Sequence, residues 1–216
     1  MNKVLLEGEQ PRPTFRAELA RKSARPGLRE RKKAKTRAAI QQHALRLFRE
    51  QGYAATTVEQ IAAAAEISPS TFFRYFPTKE DVVLYDDLDP LLIAAFDAQP
   101  PELSPVQAMR GAIHTVFYEL PPEEMEQQLE RSRLILGVPE LRMRMLDQFA
   151  GLVQLVAELV SRRVGRRVED VAVRAFAGAM MGVLLSALVV GQDDPGADVV
   201  AEMDASLAFL EAGLPL

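Results

Sequence analysis

The side chains best suited to chemistry in this chain lie within one short segment, residues 56–81. Ser70, Thr71 and Arg74 fall at spacings that place them on or near one outward side of a short helix. Hydroxyl groups and a guanidinium can read base edges in the major groove of DNA, where arginine pairs with guanine through two hydrogen bonds. The segment therefore indicates recognition of a nucleic acid.

Patterns typical of catalysis do not occur in the sequence. The chain has no cysteine, and its two histidines, His43 and His114, cannot form a histidine-rich metal site. It contains neither a G-x-S-x-G motif nor a glycine-rich phosphate loop. We therefore expect a protein that is not an enzyme and that needs no metal and no cofactor.

The segment carries start and stop signals for two helices joined by a tight turn. Thr57 and Gln60 have the spacing of a capping box, in which each side chain satisfies an N–H group of the other residue. Ser68 can cap the following helix, Pro69 suits its first position, and Pro77 ends it. Two helices in this arrangement form the helix-turn-helix that enters the DNA major groove.

Three runs in this region, TTVEQIA, S-x-x-TFFRYF and FPTKED, closely resemble the DNA-binding domain of the tetracycline-repressor (TetR) family. The resemblance covers roughly residues 29–88. It implies that Thr57, Tyr75 and Lys79 contact phosphates, and that Ser70, Thr71 and Arg74 supply most base contacts, with Arg74 on guanine. The expected DNA-binding residues are Thr57, Ser68, Pro69, Ser70, Thr71, Phe73, Arg74, Tyr75 and Lys79.

Two residues depart from the family pattern. Glu66 occupies the turn position where glycine is usual, and a positive φ at that position would strain a glutamate. Phe73 replaces the usual tyrosine, which removes one hydroxyl group that could contact a phosphate. Both changes concern individual contacts and leave the expected fold unchanged.

Charge divides the chain into two unlike parts. Residues 1–80 contain 16 Lys and Arg against 8 Asp and Glu, whereas residues 81–216 contain 10 against 22. The basic residues concentrate between Arg21 and Arg37, just before the helix-turn-helix. We interpret residues 1–27 as a flexible basic arm that reaches phosphates or the minor groove, although such a run can also be merely solvated.

The sequence predicts an all-α fold of about nine helices in two domains. Residues 28–77 would form the three-helix DNA-binding domain, and residues 78–216 a larger helical domain for effector binding and dimerisation. The fourth helix, residues 78–98, is interrupted at Asp89–Pro90, where proline costs a helix interior roughly 3 kcal/mol. We expect either a kink or a fresh helix start there.

The resemblance implies an effector pocket within the larger domain. Methionine and other apolar side chains on its helices could line such a pocket, with two polar anchors, although each could equally be ordinary core. The candidate residues are Met109, Ile113, His114, Phe117, Arg133, Met145, Phe149 and Met180.

The helix predicted over residues 169–190 is apolar on nearly every side, so it needs burial on every side. A second copy of the chain could supply that burial, and the resemblance implies a four-helix dimer interface from the last two helices. An internal core helix is the alternative. The candidate interface residues are Ala175, Gly178, Gly182, Ser186, Val199, Met203, Leu207 and Leu210.

The longest apolar run, residues 175–190, is short for a membrane span, and no signal peptide is visible, so we expect a cytoplasmic protein. These features favour a homodimeric repressor that a small apolar ligand releases from a palindromic DNA operator. The alternative is a ligand-independent architectural DNA-binding protein, which would have no pocket and little sequence preference.

Overall fold

The computed structural model describes residues 14–16, 19, 27–86, 88–194 and 196–215. Most of the expected basic arm, residues 1–27, lies outside the described residues. Within them the chain forms ten helices, so the prediction of an all-α fold is confirmed. They are α1 (Leu28–Gln51), α2 (Val58–Ala64), α3 (Pro69–Tyr75), α4 (Lys79–Leu84), α5 (Asp89–Asp97), α6 (Pro105–Phe117), α7 (Pro122–Gly137), α8 (Pro139–Val164), α9 (Val171–Asp193) and α10 (Val199–Glu211).

The first three helices share one apolar core. Ile40 of α1, Ile61 of α2 and Phe72 of α3 are fully buried and pack in the same cluster. Gly52 follows α1 with a φ of 86°, a value that glycine adopts without strain, and there the chain turns towards α2. Val82 of α4 also lies in this core, so α4 is held firmly against the N-terminal helices.

The predicted interruption of the fourth helix is a fresh start. The helix α4 ends before Tyr85, which is extended at φ −63° and ψ 122°, and α5 begins at Asp89 with Pro90 in its first turn. Proline is tolerated there because the first N–H groups of a helix have no partner inside it. Asp86 accepts a hydrogen bond from the Leu88 N–H at 2.8 Å and so stabilises the joint.

The larger part of the chain has a core of its own. Phe96 of α5, Ala112 of α6 and Val160 of α8 are buried together. Two residues of the expected arm also pack here: Phe15 contacts this core, and Arg16 forms an ion pair with Glu124 of α7 at 2.8 Å. This short stretch of the arm therefore lies against the larger, C-terminal part of the chain.

The helix α9 is long and apolar enough to cross a membrane by length and composition alone. In the folded chain, α9 packs along α8 and α10 and also contacts α7. Val173, Ala177 and Ala187 are buried by these contacts. Its opposite face is not covered by any other described part of the chain.

Candidate DNA-reading surface and effector cavity

The turn between α2 and α3 closes with a well-defined hydrogen-bond pattern. The Ile67 N–H donates to the Ala62 carbonyl at 2.9 Å, and the Glu66 N–H donates to the Ala63 carbonyl at 3.1 Å. This pair of bonds is a Schellman motif, which requires a positive φ at its penultimate residue. Glu66 has a φ of 54°, so the glutamate adopts the conformation that the sequence predicted to be strained.

The start of α3 is fixed by a small cluster of hydroxyl groups. The Ser68 hydroxyl oxygen accepts a hydrogen bond from the Thr71 N–H at 3.1 Å and lies 2.9 Å from the Ser70 hydroxyl. Thr57 similarly caps α2, where its hydroxyl accepts from the Gln60 N–H at 3.2 Å. Both predicted caps are present, so short helices of seven residues each have defined ends.

A buried aromatic side chain orients the outer face of α3. Phe72 is fully buried and packs at 6.1 Å, between ring centroids, against Phe76. With that side of α3 facing inward, Ser70, Phe73 and Arg74 are exposed on the other side. Phe73 keeps half of its surface accessible, which is unusual for a phenylalanine and leaves an apolar side chain beside the arginine.

Two residues expected to contact phosphates also have structural roles. Tyr75 is half-buried against the N-terminal core, and the Arg74 guanidinium lies 5.5 Å from its ring centroid. The Lys79 ammonium donates to the carbonyl oxygens of Tyr53 and Thr56 at 2.9 and 3.1 Å. Lys79 therefore ties the start of α4 to the loop that precedes α2.

A partly buried hydrogen bond between Tyr53 and Glu80 strengthens this connection between α4 and the preceding loop. The Tyr53 hydroxyl donates to Glu80 at 2.8 Å. Burial and the neighbouring carboxylate raise the pKa of Tyr53 above its ordinary value. Burial disfavours the charged form of Glu80, but hydrogen bonds from its own N–H, Tyr53 and Thr78, with the Lys79 charge, outweigh burial and lower its pKa.

The basic segment of α1 divides into exposed and packed residues. Arg29, Arg31, Lys32, Lys33 and Lys35 are exposed along the first turns of α1. Arg37, by contrast, is half-buried, and its guanidinium lies 4.7 Å from the Tyr85 ring centroid. The three remaining members of the predicted basic cluster, Arg21, Lys22 and Arg25, lie outside the described residues.

An apolar cavity of about 280 Å³ lies among the helices from α4 to α10. Five of the eight residues predicted for the pocket line it: Met109, Ile113, Phe117, Met145 and Met180. Most other lining side chains are also apolar, including Ile93, Phe96, Leu155 and Leu184. The cavity therefore suits an apolar molecule.

Three residues predicted for the pocket do not line it. His114 is exposed on α6 and stacks on Tyr118 with ring centroids 4.3 Å apart. Phe149, four residues from Met145 on α8, and Arg133 on α7 are also absent from the cavity wall. Successive helical residues are rotated by about 100°, so His114 points away from the cavity although its neighbour Ile113 lines it.

The cavity has a polar end that sequence reasoning missed. Asp86, Asp89 and Arg131 line it there. The Arg131 guanidinium donates to the Tyr85 carbonyl at 2.8 Å and forms an ion pair with Asp86. Arg131 shares a helix face with Ile135, which also lines the cavity, and that four-residue spacing could have identified it.

The two aspartates at this end differ in their partners. Burial, with the Asp86 charge adding to it, raises the pKa of Asp89, and the Arg131 charge offsets only part of that rise. Asp86 accepts hydrogen bonds from both Leu88 and Arg131, whereas no other described residue donates to the Asp89 carboxylate. Among the described residues, Asp89 is therefore a partly exposed carboxylate at the cavity wall without a donor.

The predicted dimer residues fall into two groups. Ala175, Gly178, Gly182 and Ser186 are exposed along one face of α9. Met203 and Leu207 are instead buried inside the protomer and line the cavity, which corrects their assignment to an interface. Their side of α10 faces the cavity and not the solvent.

The other two predicted dimer residues also make contacts within the protomer. Val199 packs against Gly191, where an added Cβ would come within 2.6 Å of Val199. Leu210 is half-buried beside a surface groove between α9 and α10. Gly191 thus permits the close approach of these two helices.

A capped helix-turn-helix with an exposed reading face, joined to a helical domain with an apolar cavity, defines the chain as a transcriptional regulator of the helix-turn-helix class. The family described as bacterial regulatory proteins, tetR family, matches residues 40–85, and the MftR C-terminal domain matches residues 103–215. The chain belongs to the TetR family.

Individual relatives agree with this assignment. The chain is 37% identical over 152 residues to the HTH-type transcriptional regulator TcmR of Streptomyces glaucescens, a match that covers 67% of each chain. Its fold is similar to that of FadR from Thermus thermophilus, a TetR-family transcriptional repressor solved in complex with lauroyl-CoA, with a TM-score of 0.54 and 26% identity. That match covers 83% of this chain and 95% of the other.

A second solved structure supports the same fold. FadR from Bacillus halodurans, a fatty acid degradation regulator, has a TM-score of 0.58 and 22% identity, with 83% of this chain and 96% of that chain covered.

Proposed function

We propose that the protein is a homodimeric repressor that acts in the cytoplasm and binds a palindromic DNA operator. A small apolar ligand releases it from that operator. The observation that carries the proposal is the exposed face of α3, which presents Ser70 and Arg74 to solvent while Phe72 anchors the helix. The exposed basic turns of α1 lie in the same domain and supply cations for phosphates.

Dimerisation is supported by the uncovered face of α9. Small residues there let a second helix approach closely, and Val189 adds an apolar side chain that is about half exposed, at 48%. A two-fold axis through this face would present two α3 helices to one side of the duplex. Palindromic half-sites would then be separated by one turn, ~34–36 Å, or a multiple of it.

Ligand control is supported by the cavity and by its position beside α4. Met145 and Phe117 are part of an apolar wall, while Leu84, the last residue of α4, also lines the cavity. The Thermus relative binds lauroyl-CoA, so an apolar chain is accepted by at least one similar fold. Release requires a ligand that binds more tightly to a subunit arrangement whose two α3 helices do not match the operator. Each tenfold loss of DNA affinity needs ~1.4 kcal/mol of difference in ligand-binding free energy between the two arrangements.

The rival function, an architectural DNA-binding protein without a ligand, is less well supported. It provides no role for a cavity of about 280 Å³ in the larger domain. It also provides no role for a capped and exposed reading helix, because architectural proteins depend mainly on phosphate contacts and DNA deformation.

The test is selection of bound sequences from random duplex DNA by the full chain, followed by a screen of small apolar molecules for release. We expect one enriched palindrome, a complex with two chains per site, and at least one molecule that lowers operator affinity. If the protein binds DNA but enriches no sequence, and if its affinity falls with added salt as expected for phosphate contacts alone, the architectural function is supported instead.

A further inference from the structure

At the polar end of the cavity, some hydrogen-bond donors and acceptors have no partner, and this restricts which ligands can bind. The cavity wall there holds three charged side chains, Asp86, Asp89 and Arg131. One terminal nitrogen of Arg131 donates to the Tyr85 carbonyl, and the other donates to the Asp86 carboxylate. Among the described residues, what remains is one carboxylate without a donor and three of the five guanidinium N–H groups without an acceptor, the Nε–H among them.

The most deeply buried of the unpaired N–H groups is that of the Arg131 Nε. The Arg131 side chain is 10% exposed, and its Nε is buried with no hydrogen-bond partner among the described residues. A buried polar group that lacks a partner costs ~1–3 kcal/mol, and the cost is higher for a charged group. The Nε itself is enclosed, so a bound molecule would recover part of that cost by accepting from the outer N–H groups of the same guanidinium, or from the Nε after a small shift of the side chains around it.

The unpaired acceptor belongs to Asp89. Its carboxylate is half-buried at the cavity wall, and its nearest charged neighbours are one anion, Asp86, and one cation, Arg131. Burial raises the pKa of Asp89, as expected for a carboxylate short of donors. A bound molecule that offers a donor would stabilise the ionised form.

Only some head groups can meet both needs. An ammonium donates to Asp89 but is repelled by Arg131 and cannot accept from it, whereas a carboxylate accepts from Arg131 but is repelled by Asp86 and Asp89. An ether oxygen accepts only. A hydroxyl group both donates and accepts, and it brings no net charge into an apolar cavity.

We infer that the effector is an apolar molecule with a hydroxyl group, an alcohol or a phenol, whose oxygen donates to Asp89 and accepts from Arg131. This inference rests on the proposed ligand-controlled function and names the ligand class of the same cavity. Because Arg131 also holds the Tyr85 carbonyl at the end of α4, the recognised hydroxyl would lie one side chain away from the DNA-binding domain.

The test is calorimetric binding of four ligands with one apolar skeleton to the full chain in the absence of DNA. The ligands are 2-naphthol, 2-methoxynaphthalene, 2-naphthylmethylamine and 2-naphthoate, whose head groups respectively donate and accept, only accept, only donate, and accept as an anion. We expect 2-naphthol to bind about tenfold or more tightly than each of the others.

One variant and one control variant test whether the polar end of the cavity causes the preference for 2-naphthol. In Asp89→Asn the side-chain amide can donate to an ether oxygen, so the preference for 2-naphthol over 2-methoxynaphthalene should fall towards equality. The matched control is Met145→Leu, a change of similar volume elsewhere on the wall, which should alter all four affinities together and keep their ratios. Helical circular dichroism checks that each variant folds.

Several results would overturn the inference. The ammonium or the naphthoate binding most tightly would show that one charged residue alone selects the ligand, and equal binding of all four would show no selection. If none of the four binds, the cavity does not take such ligands. If Asp89→Asn fails to fold, the order of affinities in the natural chain still decides the inference. Operator binding is measured separately, so a failed DNA-binding function would be recognised as a different outcome.

Discussion

The Arg131 guanidinium and the Tyr85 carbonyl oxygen are joined by a hydrogen bond of 2.8 Å that links the cavity wall to the end of α4. The same carbonyl accepts a second hydrogen bond, from the Gln41 side chain of α1, at 2.9 Å. Gln41 also donates to the Val82 carbonyl at 2.9 Å. One backbone oxygen therefore connects a cavity residue of α7 with the first helix of the DNA-binding domain.

This relationship predicts that Gln41→Leu weakens the coupling between ligand and DNA. Leucine keeps the approximate volume of glutamine but removes both bonds from α1 to α4, each worth about 0.5–1.5 kcal/mol. We expect ligand affinity to be retained, while a releasing ligand lowers operator affinity by a smaller factor than in the natural chain. Operator affinity measured with and without saturating ligand gives that factor directly.

The control for this change is Gln42→Leu on the neighbouring position of α1. Among the described residues, the Gln42 side chain forms no hydrogen bond to α4, so its removal should leave the coupling factor unchanged. Equal coupling factors for Gln41→Leu and the natural chain would show that the Tyr85 carbonyl does not carry the signal.

A second prediction concerns base recognition by Arg74. Replacement by lysine keeps the charge but removes the planar fork that pairs with guanine, so Arg74→Lys should reduce discrimination at one base pair by ~1–3 kcal/mol. Binding to non-operator DNA should change little. Gel-shift titrations on the operator and on single-base variants measure both quantities.

Arg46 provides the comparison for Arg74. It is also an arginine near the surface, but it forms an ion pair with Glu50 on α1 at 2.8 Å. Arg46→Lys should leave the sequence preference intact. An unchanged preference in Arg74→Lys as well would mean that another residue reads the bases.

A third prediction concerns the strained turn at Glu66. Glycine removes the ~1–2 kcal/mol cost of a left-handed residue but adds unfolded-state entropy worth ~0.4–1 kcal/mol. Glu66→Gly should therefore raise the free energy of unfolding by about 0.5–1 kcal/mol in urea titrations. Ala63→Gly, in the helical interior of α2 three residues earlier, should lower it by a similar amount. A destabilised Glu66→Gly would show that the glutamate side chain makes a compensating contact.

The elements of this protein follow from local sequence because their signals are local. The caps at Thr57 and Ser68 and the interruption at Asp89–Pro90 each depend on a few neighbouring residues, and all three are found in the structure. The sequence left a kink and a fresh start equally open, and the structure has the fresh start. The strained φ of Glu66 also follows from one residue at a known turn position.

Which residues line the cavity depends on contacts between residues that are far apart in the sequence. Met203 and Leu207 could face either a partner chain or the protomer interior, and the packing of α10 against α6 and α9 decides that they face the interior. Arg131 would ordinarily be expected on the surface. Its burial depends on the position of the Tyr85 carbonyl, which lies 46 residues away along the chain.

A fourth prediction follows from the raised pKa of Asp89. A carboxyl group whose folded pKa lies above its unfolded value of about 3.9 adds stability below that value and loses it as pH rises through the folded pKa. At neutral pH the ionised, partly desolvated Asp89 therefore disfavours the folded state. Asp89→Asn should raise the melting temperature at pH 7, and the difference should shrink as the pH falls towards 4. A melting-temperature difference that does not vary with pH would contradict the raised pKa.

A fifth prediction tests the uncovered face of α9. Gly182 lies on this face, and a Cβ added to it would meet no atom within 4 Å in the single protomer. Gly182→Arg should therefore leave the protomer folded, because arginine is also the better helix former. In a dimer that uses this face, a long charged side chain would be forced into an apolar contact and left without a partner.

We expect Gly182→Arg to convert the dimer to a monomer in light-scattering chromatography and to weaken operator binding, since each half-site would then be bound separately. Gly151→Arg is the matched control, because Gly151 also lies within a long helix, is exposed, and has no atom within 4 Å of an added Cβ. It lies on α8, away from the α9 face, and should remain dimeric. Dissociation by Gly151→Arg alone would place the interface on α8, since the two substitutions differ only in the helix that carries the new charge.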